Sequence, residues 1–111
     1  MGQVLTIRDA DFEREVLQAE GTVLAYFWAQ WCGPCRLMGP SIEWAASAYA
    51  EGLKVVKLEV DPNPESVKRC QVEGVPALLL HRNGELIDRS EGAITREKLA
   101  AFLAPHLGAA V

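Results

Sequence analysis

The chain has 111 residues, a net charge of −4, and a composition that is 50% hydrophobic and 23% charged. These values are typical of one globular domain over residues 1–111, long enough to bury a core without disulfide staples. The acidic balance argues against nucleic-acid binding, and three cysteines are too few for a secreted disulfide scaffold. No apolar run reaches membrane-span length and no signal peptide is visible, so we expect a cytoplasmic protein that does not bind membranes.

The N-terminal part of the chain predicts a strand, a helix and a second strand. Residues 4–7 alternate weakly between apolar and polar side chains, as a half-buried strand does. Asp9 is placed to cap a helix that continues to about Ala19. Residues 22–29 are apolar without polar alternation, so we expect a central strand that is buried on both faces.

The middle of the chain predicts a long helix, a strand and a short helix. The long helix covers residues 32–50 and contains Pro40, which we expect to kink it because proline has no N–H to donate. Residues 53–60 are rich in β-branched side chains and indicate a strand. Asn63 is placed to cap a short helix that ends near Cys70.

The C-terminal part predicts a hairpin and a final helix. Strands over residues 75–80 and 85–89 are joined by an Asn-Gly turn at 83–84. Thr95 is placed to cap the last helix, and Gly108 to end it. The resulting order, βαβαβαββα, predicts an α/β fold with a mixed sheet of about five strands flanked on both faces by about four helices.

The most informative motif is Trp31-Cys32-Gly33-Pro34-Cys35, which lies between the central strand and the long helix. Its spacing brings the two sulfur atoms within bonding reach on the first helical turn. Cys32 would lie at the helix N-terminus, where free N–H groups and the helix dipole favour a thiolate. Cys35, one turn further in, would be more buried and keep its proton. This arrangement predicts a pair that cycles between dithiol and disulfide.

Two other uses of these cysteines remain open from the residues alone, a zinc site and an inert structural disulfide. Zinc sites commonly use four ligands in two pairs, whereas Cys70, His81 and His106 are isolated in the sequence. Pro34 favours the start of a helix over a metal-binding knuckle. We expect Cys70 to be a semi-buried small hydrophobic residue, with a surface thiol as the alternative.

The motif, the element order and the length together resemble the thioredoxin family over nearly the whole chain. Like residues occur in that family at Phe27-Trp28-Ala29, Trp31-Cys32-Gly33-Pro34-Cys35, Pro40, Lys57, Asp61, Gly74-Val75-Pro76, Asn83-Gly84 and Gly92. The resemblance implies the thioredoxin fold. It also implies a cis peptide bond before Pro76, which faces the dithiol in the family; an ordinary proline at the start of a strand is the alternative.

The resemblance further implies a protein-disulfide reductase that needs no cofactor, because the dithiol itself carries the electrons. Cys32 would attack a target disulfide, and Cys35 would resolve the mixed disulfide. The implied partners of this monomeric protein are a thioredoxin reductase and disulfide-containing target proteins. Family members bind their targets on a shallow apolar platform, which corresponds here to Trp31, Gly33, Pro34, Val75, Pro76 and Gly92.

The chain departs from the best-known family members around this site. Tyr26 stands where they carry a buried aspartate that is held to accept the proton of the resolving thiol, whereas the usual companion Lys57 is kept. We expect Lys57 either to be a partly buried amine without a carboxylate partner or to extend to water. Glu73 and Glu91 add negative charge at the rim of the platform. Tyrosine at position 26 resembles a divergent branch seen among cyanobacterial thioredoxins.

Two alternative functions differ from a reductase in kind. A thioredoxin-fold subunit could bind a partner through the same surface without redox chemistry, but such a scaffold would not need both thiols. An oxidant or isomerase usually works in an oxidising compartment, and no export signal is visible. The sequence therefore favours a cytoplasmic reductase, and it leaves open whether a pyridine-nucleotide or a ferredoxin system recycles it.

Overall fold

One five-stranded mixed sheet forms the centre of the protein in a computed structural model that describes residues 2–108. Its strands are β1 (Val4–Thr6), β2 (Thr22–Trp28), β3 (Leu53–Glu59), β4 (Ala77–Arg82) and β5 (Glu85–Glu91). The α-helices are α1 (Asp9–Phe12), α2 (Gly33–Ala48), α3 (Pro64–Arg69) and α4 (Arg96–Leu107). A π-helical turn, Glu13–Leu17, continues α1.

β2 is the central strand of the sheet, whose order is β1-β3-β2-β4-β5. It pairs in parallel with β3 and antiparallel with β4, so the sheet is mixed. Helices α2 and α4 pack together on one face, and α1 and α3 pack together on the other. The predicted α/β class is therefore confirmed, with five strands and four α-helices in the described part of the chain.

Burial on both faces explains the apolar sequence of β2. Its first six residues are buried, and only Trp28 at its end is partly exposed. Leu24 and Tyr26 face the core beneath α2 and α4, whereas Val23 and Phe27 face α1 and α3. Complete burial of one large apolar side chain stabilises a fold by roughly 1.5–3 kcal/mol. The position of this strand in the fold is therefore fixed, and this limits where the residues directly after it can lie.

Several element boundaries differ from those predicted. β4 begins at Ala77 and not at residue 75, because Pro76 has no N–H to donate to a β-ladder. β5 continues to Glu91 and not only to residue 89, because Glu91 is still in register with Ala77. The first helical segment ends in the π-helical turn at Leu17, before the predicted end at Ala19.

Asp9 does not cap its own helix, which corrects the sequence prediction. Arg8 occupies the N-cap position of α1. The Asp9 carboxylate instead accepts hydrogen bonds at the start of α3, from the backbone N–H groups of Glu65 at 3.0 Å and Ser66 at 2.7 Å. A residue at the start of one helix thus satisfies the free N–H groups of another.

Asn63 makes the reciprocal contact, and its side chain does not cap α3 as predicted. It occupies the N-cap position of α3 but does not bond the first turn of that helix. Its amide oxygen accepts from the N–H of Asp9 at 2.8 Å, and its amide nitrogen donates to the carbonyl of Glu59 at 2.8 Å. The packing of α1 against α3 brings these distant positions together, and no local pattern contains that information.

The caps of α4 are the predicted ones. The Thr95 hydroxyl accepts from the N–H of Lys98 at 3.2 Å. Gly108 ends the helix with a φ of 79°, which glycine adopts without the steric cost of a side chain. Both contacts are local, which is why the sequence pattern was sufficient to predict them.

Replacing Asp9 with alanine should lower the free energy of unfolding by about 1 kcal/mol at neutral pH, as the loss of an N-cap does. Burial raises the pKa of Asp9, but hydrogen bonds from Ser66 and Glu65 outweigh it and hold the pKa below its ordinary value. The stabilisation is therefore present above about pH 4 and is lost as the pH falls through the lowered folded-state pKa.

Urea melts of the wild type and the Asp9→Ala variant at neutral and at acid pH measure this effect. Asp9→Asn is the matched control, because it keeps one acceptor oxygen without a titrating charge. Its loss should be smaller and nearly independent of pH. A deficit of Asp9→Ala that stays the same at both pH values would contradict the assigned role.

Candidate active site

The two cysteines of the motif lie at the start of α2 and are bonded to each other. Their sulfur atoms are at disulfide distance, and their Cα atoms are 5.3 Å apart. Cys32 is the N-cap residue of α2, and Pro34 lies in the first turn, where its missing N–H needs no partner. Because β2 ends at Trp28, the two cysteines lie at the end of the sheet where the central strand ends.

Cys32 has a sulfur atom that accepts a hydrogen bond from the backbone of the first helical turn. The N–H of Cys35 donates to Cys32 Sγ at 3.1 Å. This contact and the dipole of α2 both favour negative charge on that sulfur when the pair is reduced. Cys32 keeps 5% of its surface exposed and Cys35 keeps 2%, so both are largely covered and Cys32 is slightly the more accessible. The hydrogen bond from the Cys35 N–H, more than this small difference in exposure, distinguishes Cys32 from Cys35.

Trp31 lies on the surface beside the disulfide and is held by a hydrogen bond. Its side chain is 68% exposed, and its Nε1 donates to Oδ2 of Asp61 at 2.9 Å. On the other side of the motif, the Arg36 guanidinium donates to the carbonyl of Gln30 at 2.6 Å. These bonds tie the segment before α2 to the loop after β3 and to the first turn of the helix.

The other predicted platform residues lie on the first turn of α2 and on two loops. Gly33 and Pro34 are exposed. The Val75–Pro76 peptide bond is cis, as the resemblance implies, with Pro76 buried and Val75 partly exposed. Gly92 is exposed, and its N–H donates to the Pro76 carbonyl at 2.9 Å. That bond joins the loop before β4 to the segment after β5.

A small hollow of about 170 Å³ connects Trp31 to Val75. Its other wall residues are Val60, Val67, Val72, Glu73 and Gly74. The walls are mostly apolar, and Glu73 is the charged residue among them. The hollow therefore provides an apolar surface next to the motif, with one carboxylate, that of Glu73, at its edge.

Tyr26 lies on the face of β2 that α2 covers, and it contacts Cys35. It is 4% exposed, and its hydroxyl donates to the carbonyl oxygen of Cys35 at 2.6 Å. Burial raises the pKa of the phenol to about 12, so the side chain is neutral at physiological pH. Position 26 therefore carries a neutral hydrogen-bond donor directed at the Cys35 backbone.

Lys57 lies beside Tyr26, its neighbour in the parallel register of β2 and β3. Its amine is 5.7 Å from the centroid of the Trp28 ring, within cation–π range, and the residue is half-buried. No ion pair joins Lys57 to a carboxylate within residues 2–108. Lys57, Tyr26 and Cys35 also line a cavity of about 170 Å³, together with Glu43. Lys57 thus has no ion-pair partner among the described residues, and its partial exposure fits both predicted alternatives, a partly buried amine and a side chain that extends to water.

Arg89 is a residue near the site that sequence reasoning missed. Its guanidinium donates to the carbonyls of Cys70 at 3.3 Å and Gln71 at 3.2 Å, and it pairs with the Glu91 carboxylate at 3.2 Å. It thus ties the loop after α3 to the end of β5. The pair with Arg89 also offsets part of the negative charge that Glu91 brings to the rim. No sequence signal marks these contacts, because two of them join segments that meet only in the folded sheet.

Cys70 is buried, as expected for a small hydrophobic residue. It is 9% exposed and belongs to the core on the α1 and α3 side. Burial raises the pKa of its thiol to about 11, although Arg89 and Arg69 act in the opposite direction. Cys70 is therefore protonated at neutral pH, and a protonated thiol is a poor nucleophile. Within residues 2–108, no cluster of three or more His, Cys, Asp or Glu side chains could hold a metal ion.

Comparison with known proteins identifies the family. The thioredoxin family model matches residues 3–105. The chain belongs to the thioredoxin family. The thioredoxin-like protein slr1139 of Synechocystis sp. is 55% identical over 104 residues, which cover 94% of this chain and 95% of that protein. Thioredoxin of Pseudomonas aeruginosa is 40% identical over 100 residues, 90% of this chain and 93% of that protein. Thioredoxin 1 of Synechococcus elongatus is 36% identical over 107 residues, 96% and 100% of the two chains.

Membership of this family, together with the Cys32–Cys35 pair, makes the protein a thiol–disulfide oxidoreductase. Thioredoxins work without a cofactor, since their own sulfur atoms carry the electrons. The chain is similar to a cyanobacterial thioredoxin-like protein, and a cyanobacterial branch marked by tyrosine at position 26 stays a prediction. Among the described residues, no helix is long and apolar enough to span a bilayer.

Replacing Tyr26 with aspartate should lower the free energy of unfolding at neutral pH by a few kcal/mol, about 2–5, because the variant loses aromatic packing and buries a charge. Burial raises the folded-state pKa of such a carboxyl group, which then favours the folded state only when protonated. The loss should therefore shrink as the pH falls toward about 4.

Denaturant melts near pH 4 and pH 8 test this expectation. Tyr26→Asn is the matched control, because it removes the same packing and introduces no titrating group. Its loss of stability should be similar at the two pH values. If Tyr26→Asp behaved in the same way as the asparagine variant, position 26 would be hydrated, in conflict with the burial of Tyr26.

Proposed function

We propose that this member of the thioredoxin family is a reductase of protein disulfides that a thioredoxin reductase recycles. The observation that carries the proposal is the hydrogen bond from the Cys35 N–H to Cys32 Sγ. This bond would stabilise the thiolate form of Cys32, next to the exposed side chain of Trp31. The similarity to the thioredoxins of Pseudomonas aeruginosa and Synechococcus elongatus supports the same activity.

In the first step, the Cys32 thiolate attacks one sulfur of a target disulfide. A bond forms between Cys32 and the target, and the second target sulfur leaves as a thiolate that takes a proton from water. The exposed edge beside Val75 and Pro76 is where an extended target segment would bind through its backbone. The apolar hollow between Trp31 and Val75 would hold a target side chain.

In the second step, Cys35 releases the target. The Cys35 thiol loses its proton to solvent, its sulfur attacks Cys32 Sγ, and the bond between Cys32 and the target breaks. The target leaves as a thiolate that takes up a proton. The target has gained two electrons and two protons, and the Cys32–Cys35 disulfide has formed. A reductase then returns two electrons and two protons to the pair.

We further propose that the chain is one domain that acts as a monomer in the cytoplasm and binds no cofactor. Reduction of insulin disulfides, driven in turn by an NADPH-dependent and by a ferredoxin-dependent thioredoxin reductase, tests the activity and identifies the recycling partner. Failure with both reductases, and also with a chemical dithiol as the electron source, would refute the proposed reductase function.

Substitution of the two cysteines should separate the two steps. Cys32→Ser should abolish reduction, because Cys32 is the N-cap residue of α2 and no other described thiol accepts a hydrogen bond from the helix start. Cys35→Ser should still attack targets but remain attached to them as a mixed disulfide, visible by mass spectrometry. Cys70→Ser is the control and should keep normal turnover. Normal turnover by Cys35→Ser, or equal trapping of targets by Cys32→Ser, would refute the assigned roles.

The acidic rim should favour targets with basic residues beside their disulfide. Replacing Glu73 and Glu91 together with glutamine should slow association with such targets by about two- to fivefold at low salt, because rim charges act mainly on the association rate. Glu73 should account for more of this effect, since Arg89 partly neutralises Glu91.

Stopped-flow association rates at low and high salt measure the effect of the rim. The wild-type advantage should disappear at high salt, where screening weakens steering. The matched control replaces Glu20 and Glu51 together with glutamine, because both are exposed near the opposite end of β2 and β3 and the net charge changes by the same amount. An association rate that ignored both the substitutions and the salt concentration would exclude electrostatic selection of targets.

A further inference from the structure

We propose that the Tyr26 hydroxyl is a positioning group that holds Cys35 ready for its attack on the mixed disulfide. This inference rests on the proposed reductase function, and it assigns a task to a residue that does not itself exchange electrons. The observation behind it is the 2.6 Å hydrogen bond from the Tyr26 hydroxyl to the Cys35 carbonyl oxygen.

Tyr26 is a rigid anchor for this bond. It lies in the central strand, between Lys57 of β3 and Leu78 of β4 in the sheet register, and it is 4% exposed. Its ring cannot leave the core without breaking close packing, so the hydroxyl has a fixed place. The bond therefore connects the first turn of α2 to the most constrained strand of the sheet.

The first turn of α2 needs such an anchor because the helix itself holds it weakly. Pro40 lies inside α2 and has no N–H, which removes the helical donor for the carbonyl of Arg36. The turn that carries the cysteines thus has fewer bonds to the rest of the helix than an ordinary turn. The Tyr26 hydroxyl supplies an external bond one residue earlier, at Cys35.

The anchor matters most when the disulfide is open. In the disulfide form, the covalent bond between Cys32 and Cys35 already holds the turn. In the dithiol and in the mixed disulfide that bond is absent, and the Tyr26 contact is left to restrict Cys35. A thiol held near its target sulfur has a high effective concentration, so less order must be gained on the way to the transition state.

Tyr26 does not act as the base for Cys35. Its hydroxyl proton is directed at the Cys35 carbonyl, and the phenol remains protonated through the physiological range. When the resolving bond forms, the Cys35 proton passes to solvent and the electron pair of the broken bond leaves with the target sulfur. Tyr26 keeps its proton and its hydrogen bond throughout.

Tyr26→Phe removes the hydroxyl and keeps the ring. One equivalent of dithiobis(nitrobenzoate), a chromogenic aryl disulfide, is mixed with the reduced protein in a Cys70→Ser background. Attack by Cys32 releases the first aryl thiolate, and attack by Cys35 on the resulting mixed disulfide releases the second. The first phase should be unchanged in Tyr26→Phe, and the second should be slower by about three- to tenfold, the range expected for one buried hydrogen bond.

Tyr49→Phe is the matched control, because Tyr49 is also largely buried but lies at the opposite end of α2, where it packs against Trp44. It should leave both phases unchanged. Tyr26→Met is a second variant without the hydroxyl, and it should slow the second phase as well. It keeps the test available if the phenylalanine variant folds poorly.

The equilibrium with dithiothreitol gives an independent readout. Loss of the hydrogen bond should increase the conformational freedom of the dithiol more than that of the disulfide. The equilibrium constant for forming the Cys32–Cys35 disulfide should therefore fall, by about the same factor as the rate of the second phase. A purely structural role would destabilise both redox forms equally and leave this equilibrium constant unchanged.

An unchanged second phase in Tyr26→Phe, or an equal slowing of both phases, would overturn the positioning role. An unchanged equilibrium constant would do the same. If the wild type showed no first phase at Cys32, the reductase function itself would fail, and that outcome is distinct from failure of the anchor.

Discussion

Burial of β2 on both faces is the constraint on which the rest of the structure depends. The strand pairs with β3 and β4, and its alternate side chains enter two separate cores. It therefore cannot shift without disrupting both layers of helices. Because the chain leaves this strand and enters α2 within a few residues, the position of Cys32 is fixed by the best-held element of the fold. A reactive residue on a short connection between rigid elements keeps its geometry while remaining at the surface.

The chemistry of the pair follows from this placement. The start of a helix presents free N–H groups and a positive potential. The Cys35 N–H is one of these groups, and its hydrogen bond to Cys32 Sγ favours the thiolate when the pair is reduced. Beneath the pair lies a neutral phenol, so position 26 itself adds no charge next to Cys35. Tyr26 consequently acts through a directed hydrogen bond. The positively charged residues that line the cavity are Lys57, whose amine lies over the Trp28 ring, and Arg36.

The surface around the disulfide combines apolar contact with a charged edge. Trp31 is highly exposed, yet its bond to Asp61 restricts how the ring can turn. Arg89 bridges the loop after α3 and the end of β5, while the Gly92–Pro76 bond joins β5 to the loop before β4. Hydrogen bonds thus connect the loops that would contact a target. The loss of conformational entropy on target binding should therefore be small.

The sequence by itself determined the features that depend on local patterns. Alternation and apolar runs predicted every strand and α-helix, the Cys-x-x-Cys spacing predicted the redox pair, and Thr95 and Gly108 marked the ends of α4 because their contacts lie within one helical turn. Only the tertiary structure decided the contacts between distant segments. Asp9 and Asn63 are residue types that commonly cap the helix they begin. Because α1 packs against α3, the side chain of each instead bonds the backbone of the other segment. The packing of β5 beside the loop after α3 brings Arg89 to the carbonyls of Cys70 and Gln71, and the burial of β2 directs the Tyr26 hydroxyl to Cys35. The physical reason is that a polar side chain bonds the nearest partner in space, and which partner is nearest depends on how the whole sheet and its helices pack.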